Sequence, residues 1–391
     1  MKITDVKVIN KYSNGTGPSL IEVESDEGIT GIGATASNIP VITAIIEEGP
    51  ASLKKMLLGS DPRDTTYLWD KMTRTTMHGR YGDGGYLINA IAAVDMALWD
   101  LRGKSQNMPI HQLLGGAIQS EIMAYASTSR WNTLYDGDIV KTTDELVIEC
   151  KEYVDDGFKA IKFGWGNFFN NEADYQLSAM REAIGPDIRL MLDYGCPAYL
   201  SPDTNVKELL KICNLLEKHD IFFLEEPLSP HDIDGFTELT ACSPIRIATG
   251  ESLTKISEFF QFIKNKATDV AQPDVQQMGI SGLKGVLDLC EISNTLCIPH
   301  CPWSAMAVAG HINVLSCSNV GNMIEYTGYA NFEKKGDKAQ KTSAMFNKII
   351  ETPLSISNGY LQLPTSPGPV SYTHLRAHET DSYLVCRLLL E

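Results

Sequence analysis

From about residue 121 the chain repeats one unit, a short apolar run followed by an amphipathic helical stretch. The runs are EIMAYAS, KAIKFG, RLMLDY, IFFLEEP, IRIATGE, DVAQPD, LCIPHC and NMIEYT, with stretches such as NVKELLKICNLLEKH and ISGLKGVLDLCEISNT between them. Consecutive apolar residues such as Ile221-Phe222-Phe223-Leu224 suit a strand buried on both faces, as in parallel sheets. Eight such runs alternating with helices predict a parallel (β/α)8 TIM barrel, with a doubly wound open sheet as the other arrangement the pattern allows. Residues 1 to about 120 differ in style. Strand-like ITDVKVIN and SLIEVESDEGITGIGAT, the latter turned through Asp26-Glu27-Gly28, lead into helices, notably NAIAAVDMALWDLRGK, whose apolar positions recur at three and four. Gly103 and, further on, Pro109 read as stops for that helix.

The residues that end the runs carry the chemistry. Asp193, Glu225, Glu251, Asp274, His300 and Glu325 follow one another at intervals of 32, 26, 23, 26 and 25, about one strand-helix unit each. In a barrel, successive strand ends stand side by side around one mouth, so these side chains are expected to converge at the C-terminal face. Taken singly, an acidic residue there caps the next helix or faces solvent; six in register argue for one site. Neighbouring carboxylates repel unless neutralised, and hard oxygen donors point to Mg2+. Glu225 is assigned to the metal, and Glu226 reads as a supporting carboxylate or an ion-pair partner. Asp274 is placed to fix the tautomer of His300, leaving the other ring nitrogen for proton transfer and raising the imidazole pKa.

Composition bounds the partners. The 391 residues hold one large domain or two ordinary ones, and 43% hydrophobic content is that of a globular chain. A formal net charge of -16 argues against nucleic acid but not against a small anionic substrate, because a bound cation reverses the local field. No apolar run is long enough for a membrane span, the N-terminus MKITDVKVIN lacks a signal-peptide core, and nine cysteines without a CxxC pair read as reduced thiols. The expectation is a cytoplasmic protein.

The chain resembles the enolase superfamily, and within it the mandelate racemase subgroup of sugar-acid dehydratases and racemases. The likeness runs from about residue 2 to 369 and rests on AIAAVDMALWDLRGK with MPIHQLLGG, GFKAIKFG, LMLDYG, LEEPL, ATGE, QPDVQQMGIS, IPHCPW and IEYTG, in that order. It implies an α/β protein: a modified barrel at 121–355, an α+β capping domain at 1–120, and a return segment at 356–369. It implies one Mg2+ per subunit on Asp193, Glu225 and Glu251, a His300-Asp274 acid/base dyad, and Lys162 and Glu325 at the substrate carboxylate. It also implies a homo-oligomer.

Departures from the family pattern sharpen the expected reaction. Many members carry Lys-x-Lys after the second barrel strand, the second lysine serving as base on the opposite substrate face. Here the stretch is Lys162-Phe163-Gly164, and an Asn common two residues after the first metal ligand is Gly195. Racemisation needs proton donors on both faces, whereas elimination needs one. The expected activity is a hydro-lyase: an acid-sugar dehydratase giving a 2-keto-3-deoxy acid. The alternatives are a sugar-lactone or anhydro-sugar-acid cycloisomerase, a racemase or epimerase, and, least favoured, a non-catalytic sugar-acid-binding barrel. Arg74, His78, Arg80 and Tyr81 in TRTTMHGRYGDGG, with Trp303 and Trp165 near strand ends, are candidates for contacting the sugar chain; a solvated loop and simple packing are the plain readings.

GITGIGAT and GWG lack a full GxGxxG after a buried strand, so neither reads as a dinucleotide site. His374 and His378 have metal-pair spacing, but they lie in VSYTHLRAHETDSYLVCRLLLE, where the family pattern has broken off. Residues 370–391 are read as a non-native tail without function.

Overall fold

In a computed structural model of the protein, the described residues are 1–9, 19–78, 84–129, 141–164, 172–195, 204–301, 304–327, 354 and 356–368, with side chains 75–78 and 129 left out. The first unit opens with β1 (Ile3–Val8), β2 (Ser19–Ser25) and β3 (Thr30–Thr35), an antiparallel sheet. It continues through α1 (Ile39–Glu47), α2 (Leu53–Leu57), α3 (Thr65–His78), α4 (Tyr86–Gln106) and α5 (Ile110–Leu113). Gly28, at φ 76°, makes the turn between β2 and β3 that Asp26-Glu27-Gly28 foretold.

The second unit alternates strand and helix: β4 (Glu121–Ser129), α6 (Thr143–Asp155), β5 (Ala160–Gly164), α7 (Ala173–Ile184), β6 (Arg189–Asp193), α8 (Val206–Glu217) and β7 (Ile221–Glu225). It runs on through α9 (Ile233–Cys242), β8 (Arg246–Thr249), α10 (Ile256–Lys264), β9 (Val270–Ala271), α11 (Val275–Ser293), β10 (Leu296–Cys297), α12 (Ala305–Leu315) and β11 (Met323–Tyr326). Strands β4 to β10 pair in parallel, each with the next, and β11 pairs in parallel with β4. Backbone bonds from Cys297 N–H to Val320 O and from Glu325 N–H to Pro299 O tie the end of β10 to β11. The sheet is thus closed into a barrel, and the open doubly wound alternative falls. A hairpin, β12 (Ile356–Ser357) and β13 (Tyr360–Gln362), lies antiparallel on β4. Beyond it Gly368 N–H donates to Met108 O, beside the end of α4. Among the described residues no helix is long and apolar enough to cross a membrane.

Alternation within the strands builds the barrel interior in layers. Tyr125, Ala160, Met191, Phe223, Ala248, Val270, Ile298 and Met323, one from each of the eight strand segments, pack into an apolar floor. The intervening strand residues, such as Phe163, Leu192 and Leu224, pack outward against the helices. A strand residue two positions beyond the floor faces inward again, so the next layer is set by sequence: Ser127, Lys162, Asp193, Glu225, Gln272, His300 and Glu325, while the corresponding position on β8 is Gly250, whose Cβ direction points at the Phe259 ring of α10.

Helix α4 joins the two units. It is buried along most of its length and packs against β3 on one side and α11 on the other. A Cβ at Gly31 would stand 2.0 Å from Ala97 O, and one at Gly33 only 1.9 Å from Ala93 O. These glycines of GITGIGAT therefore serve backbone packing. On the other side Asp95 accepts from the Ser281 N–H (2.8 Å) and hydroxyl (2.6 Å), and Trp99 Nε1–H donates to that hydroxyl. Burial pushes the Asp95 carboxyl up to about 7. At the start of α11, the Val275 N–H donates to His311 Nε2 of α12 at 2.9 Å, while His311 Nδ1 lies 2.9 Å from Ala307 O. Burial pushes the His311 pKa down to about 4, which keeps the ring neutral and able to accept.

Two stability measurements follow from this packing. Gly33→Ala forces a methyl into the α4 backbone and is expected to cost about 3 kcal/mol or more in urea unfolding; an unchanged midpoint would mean the β3–α4 approach is looser than described. His311 binds a proton in the unfolded chain below about pH 6.5 but in the folded chain only near 4, so its contribution is intact above 6.5 and lost as pH falls toward 4. The margin of wild type over His311→Gln should shrink by about 3 kcal/mol between pH 7 and pH 4, and a pH-independent margin would contradict a neutral buried ring.

Candidate active site

The inward layer above the floor brings Lys162, Asp193, Glu225, His300 and Glu325 to one end of the barrel. Lys162 Nζ donates to both oxygens of Glu225, at 2.7 and 2.8 Å, and lies 3.1 Å from Glu325 Oε1. All three side chains are buried. Glu325 is further held by the Ser127 hydroxyl on Oε1 and by the Cys301 N–H on Oε2 at 2.9 Å. Burial alone would raise the Glu325 pKa, but Lys162, His300 and these donors bring it down to about 2. Lys162 is held well above its ordinary value: burial opposes its charge, and the surrounding Glu225 and Glu325 more than offset it.

On the opposite side, His300 Nδ1 lies 3.0 Å from Asp274 Oδ2, and its Nε2 lies 3.4 Å from Glu251 Oε2. Asp274 Oδ1 meanwhile accepts the Gln276 N–H, so this residue caps α11 and orients the imidazole with its two oxygens. Burial disfavours the imidazolium, but Glu251, Asp274 and Glu325 push the His300 pKa up to about 10.

Glu251 is not an inward strand residue; it follows Gly250, whose φ of 130° turns the chain at the end of β8. Glu226 supports that turn. Its backbone is left-handed (φ 47°), and its Oε1 accepts the Thr249 hydroxyl at 2.6 Å and the Gly250 N–H at 2.9 Å. The second glutamate of LEEP therefore braces the segment that presents Glu251, and burial with the charge of Glu251 pushes its pKa up to about 7. Asp193 accepts the Gly195 N–H at 2.8 Å. Burial, then the neighbouring carboxylates acting against Lys162, puts its pKa at about 6 and that of Glu225 at about 8.

Carboxylates outnumber cations here. Asp193, Glu225, Glu251, Asp274 and Glu325 face Lys162 and His300, and the donors are hard oxygens, so the chemistry of the set fits a divalent cation such as Mg2+. Its arrangement is not a closed cage. Among the described residues no three His, Cys, Asp or Glu side chains are gathered so as to hold a metal ion, and Lys162 occupies both oxygens of Glu225. The lysine expected at the substrate carboxylate lies here between two buried glutamates and serves as their counter-ion.

The cap candidates are distributed differently. Arg74 is exposed, and its guanidinium is held by Asp70 one helical turn earlier. The side chain of His78, together with Arg80, Tyr81, Trp165, Trp303, His374, His378 and the 370–391 tail, lies outside the described residues. Ser127 and Gln272, neutral members of the inward layer, carry no charge signal in the sequence, and each stands two residues on from a floor residue, Tyr125 and Val270.

Comparison with known proteins agrees with this architecture. Residues 145–369 match the family described as enolase C-terminal domain-like, and residues 15–115 match the N-terminal domain of the mandelate racemase / muconate lactonizing enzyme family. An arabinonate dehydratase of Saccharolobus solfataricus is 30% identical over 90% of this chain and 87% of its own length. A D-galactarolactone cycloisomerase of Agrobacterium fabrum is 27% identical over 89% and 87%. The crystal structure of the 3,6-anhydro-D-galactonate cycloisomerase of Zobellia galactanivorans superposes with a TM-score of 0.79 at 27% identity, covering 96% of this chain and 97% of that one. Relatives of both kinds make this chain an enzyme of the hydro-lyase or isomerase type. With a capping unit before a parallel barrel and matches to both family domains, the chain belongs to the enolase superfamily, in its mandelate racemase subgroup.

Proposed function

We propose that the protein is a Mg2+-dependent acid-sugar dehydratase that removes the proton α to a carboxylate and eliminates the 3-hydroxyl, giving a 2-keto-3-deoxy sugar acid. The observation that carries this reading is the His300-Asp274 pair beside an excess of buried carboxylates, with Gly164 where a second base would stand on the opposite face. Asp193, Glu225 and Glu251 would hold the metal, which supplies Lewis-acid stabilisation of the negative charge that develops on the substrate carboxylate. Asp274 accepts from Nδ1 of His300 and leaves Nε2 for the substrate. Base catalysis needs the neutral ring, so a charge facing it must first be neutralised; Glu251, at 3.4 Å from Nε2, is that charge. His300 then takes the α-proton, the C–H electrons form the enediolate double bond, and the C3–O bond breaks as His300 returns its proton to the departing hydroxyl. Water and an enol result, and the enol tautomerises to the 2-keto acid. Lys162, once released by Glu225, and Glu325 are the groups that would grip the substrate carboxylate.

A cycloisomerase is the second reading, favoured by the near full-length likeness to two sugar-acid cycloisomerases. It uses the same proton abstraction but ends on an isomer of the substrate. A library of acid sugars assayed with Mg2+ separates the two: a semicarbazide-reactive 2-keto-3-deoxy product supports the dehydratase, an isomeric product the cycloisomerase, and no Mg2+-dependent turnover a binding barrel. His300→Asn is expected to abolish turnover while Mg2+ still binds by calorimetry; full activity in that variant removes the dyad from the mechanism. Lys162→Met strands two buried glutamates and should cost about 3 to 5 kcal/mol without metal. Mg2+ should raise its melting temperature more than that of wild type, since the cation would neutralise carboxylates that the ammonium already neutralises in wild type, and no Mg2+ shift in either protein would contradict the metal assignment.

A further inference from the structure

Gln272 occupies the inward layer two residues on from Val270 of the floor. Its N–H donates to Thr249 O at 3.0 Å, which keeps it in barrel register past the end of β9, and Pro273 stiffens the step that follows. The side chain is fully buried, yet neither its amide nitrogen nor its amide oxygen has a hydrogen-bond partner among the described residues. Ser127, Lys162, Asp193, Glu225, His300 and Glu325 in the same layer all have partners. Buried amides are almost always satisfied, so two orphaned atoms on one side chain mark a place where something else completes them. The neighbour on β8 is Gly250, which contributes no side chain, and the neighbour on the β10 side is His300.

We propose that Gln272 is a substrate-positioning residue whose amide donates to and accepts from a hydroxyl of the acid sugar, next to the carbon that His300 deprotonates. The inference rests on the sugar-acid reading above and names the group that selects for a hydroxylated chain. An amide offers a donor and an acceptor in fixed geometry, as a hydroxyl does in return, and it adds no charge to a layer already rich in carboxylates. A site with a buried polar group that only the substrate satisfies discriminates strongly against an analogue lacking that hydroxyl.

The test is Gln272→Leu, which removes both orphaned atoms and keeps an apolar side chain of comparable bulk. Without ligand, its melting temperature should equal or exceed that of wild type; a fall of about 5 °C or more would show that the amide has a structural partner and overturn the proposal. With the sugar acid the wild type accepts best, kcat/KM should fall about 10- to 100-fold. The variant should also lose the wild type's preference, in Mg2+-loaded thermal shift, for that acid over its monodeoxy analogues. Unaltered kcat/KM and preference would sink the role of Gln272 and leave the reaction class standing. If wild type binds sugar acids but makes neither product, the reaction reading fails, while loss of preference in the variant still supports Gln272. A wild type that binds no sugar acid overturns both.

Discussion

Lys162 lies buried between Glu225 and Glu325, with its ammonium 2.7 Å from one and 3.1 Å from the other. A barrel mouth crowded with carboxylates would repel itself open or hold protons unless some positive charge were fixed inside it. That one ammonium, with the imidazolium of His300 across the mouth, lets the acidic layer sit on an apolar floor. Burial first, and then the neighbouring carboxylates, still raise the pKa values of Asp193 and Glu225 against the pull of Lys162. The surplus of hard oxygen donors is of the kind that suits a divalent cation, with the lysine set among those donors.

The frame that holds these charges is rigid for reasons unrelated to catalysis. Helix α11 begins on Asp274, is fastened at its start by the neutral ring of His311, and is gripped farther along by Asp95 and Trp99 of α4. Through α4 the same contacts reach β3, whose Gly31 and Gly33 let the strand lie directly on the α4 backbone. The carboxylate that orients His300 is therefore anchored to both units.

The alternation of apolar runs and helices was legible because a parallel barrel imposes it on every strand, whatever the side chains at the mouth. The strand-end residues were legible as a set for the same reason, yet they reach the site by three routes. Asp193, Glu225, His300 and Glu325 are inward layer positions, Glu251 arrives through the turn at Gly250, and Asp274 comes from a helix cap. The doubly wound alternative could be dismissed only once β11 was seen beside β4. Glu226 kept its supporting part, but the hydroxyl and N–H that define it come from the next strand. Gln272 and Ser127 carry no charge and gave no signal to a search made for charges.

By itself, the order of residues determined the alternation of strand and helix and the spacing of the ionisable groups at the strand ends, since strand periodicity and spacing are local properties of a chain; the capping unit was implied by the family resemblance. Tertiary structure alone decided the pairings. Lys162 finds a glutamate 63 residues away, and a buried ion takes whichever partner stands within reach across the barrel, a distance that no local pattern encodes.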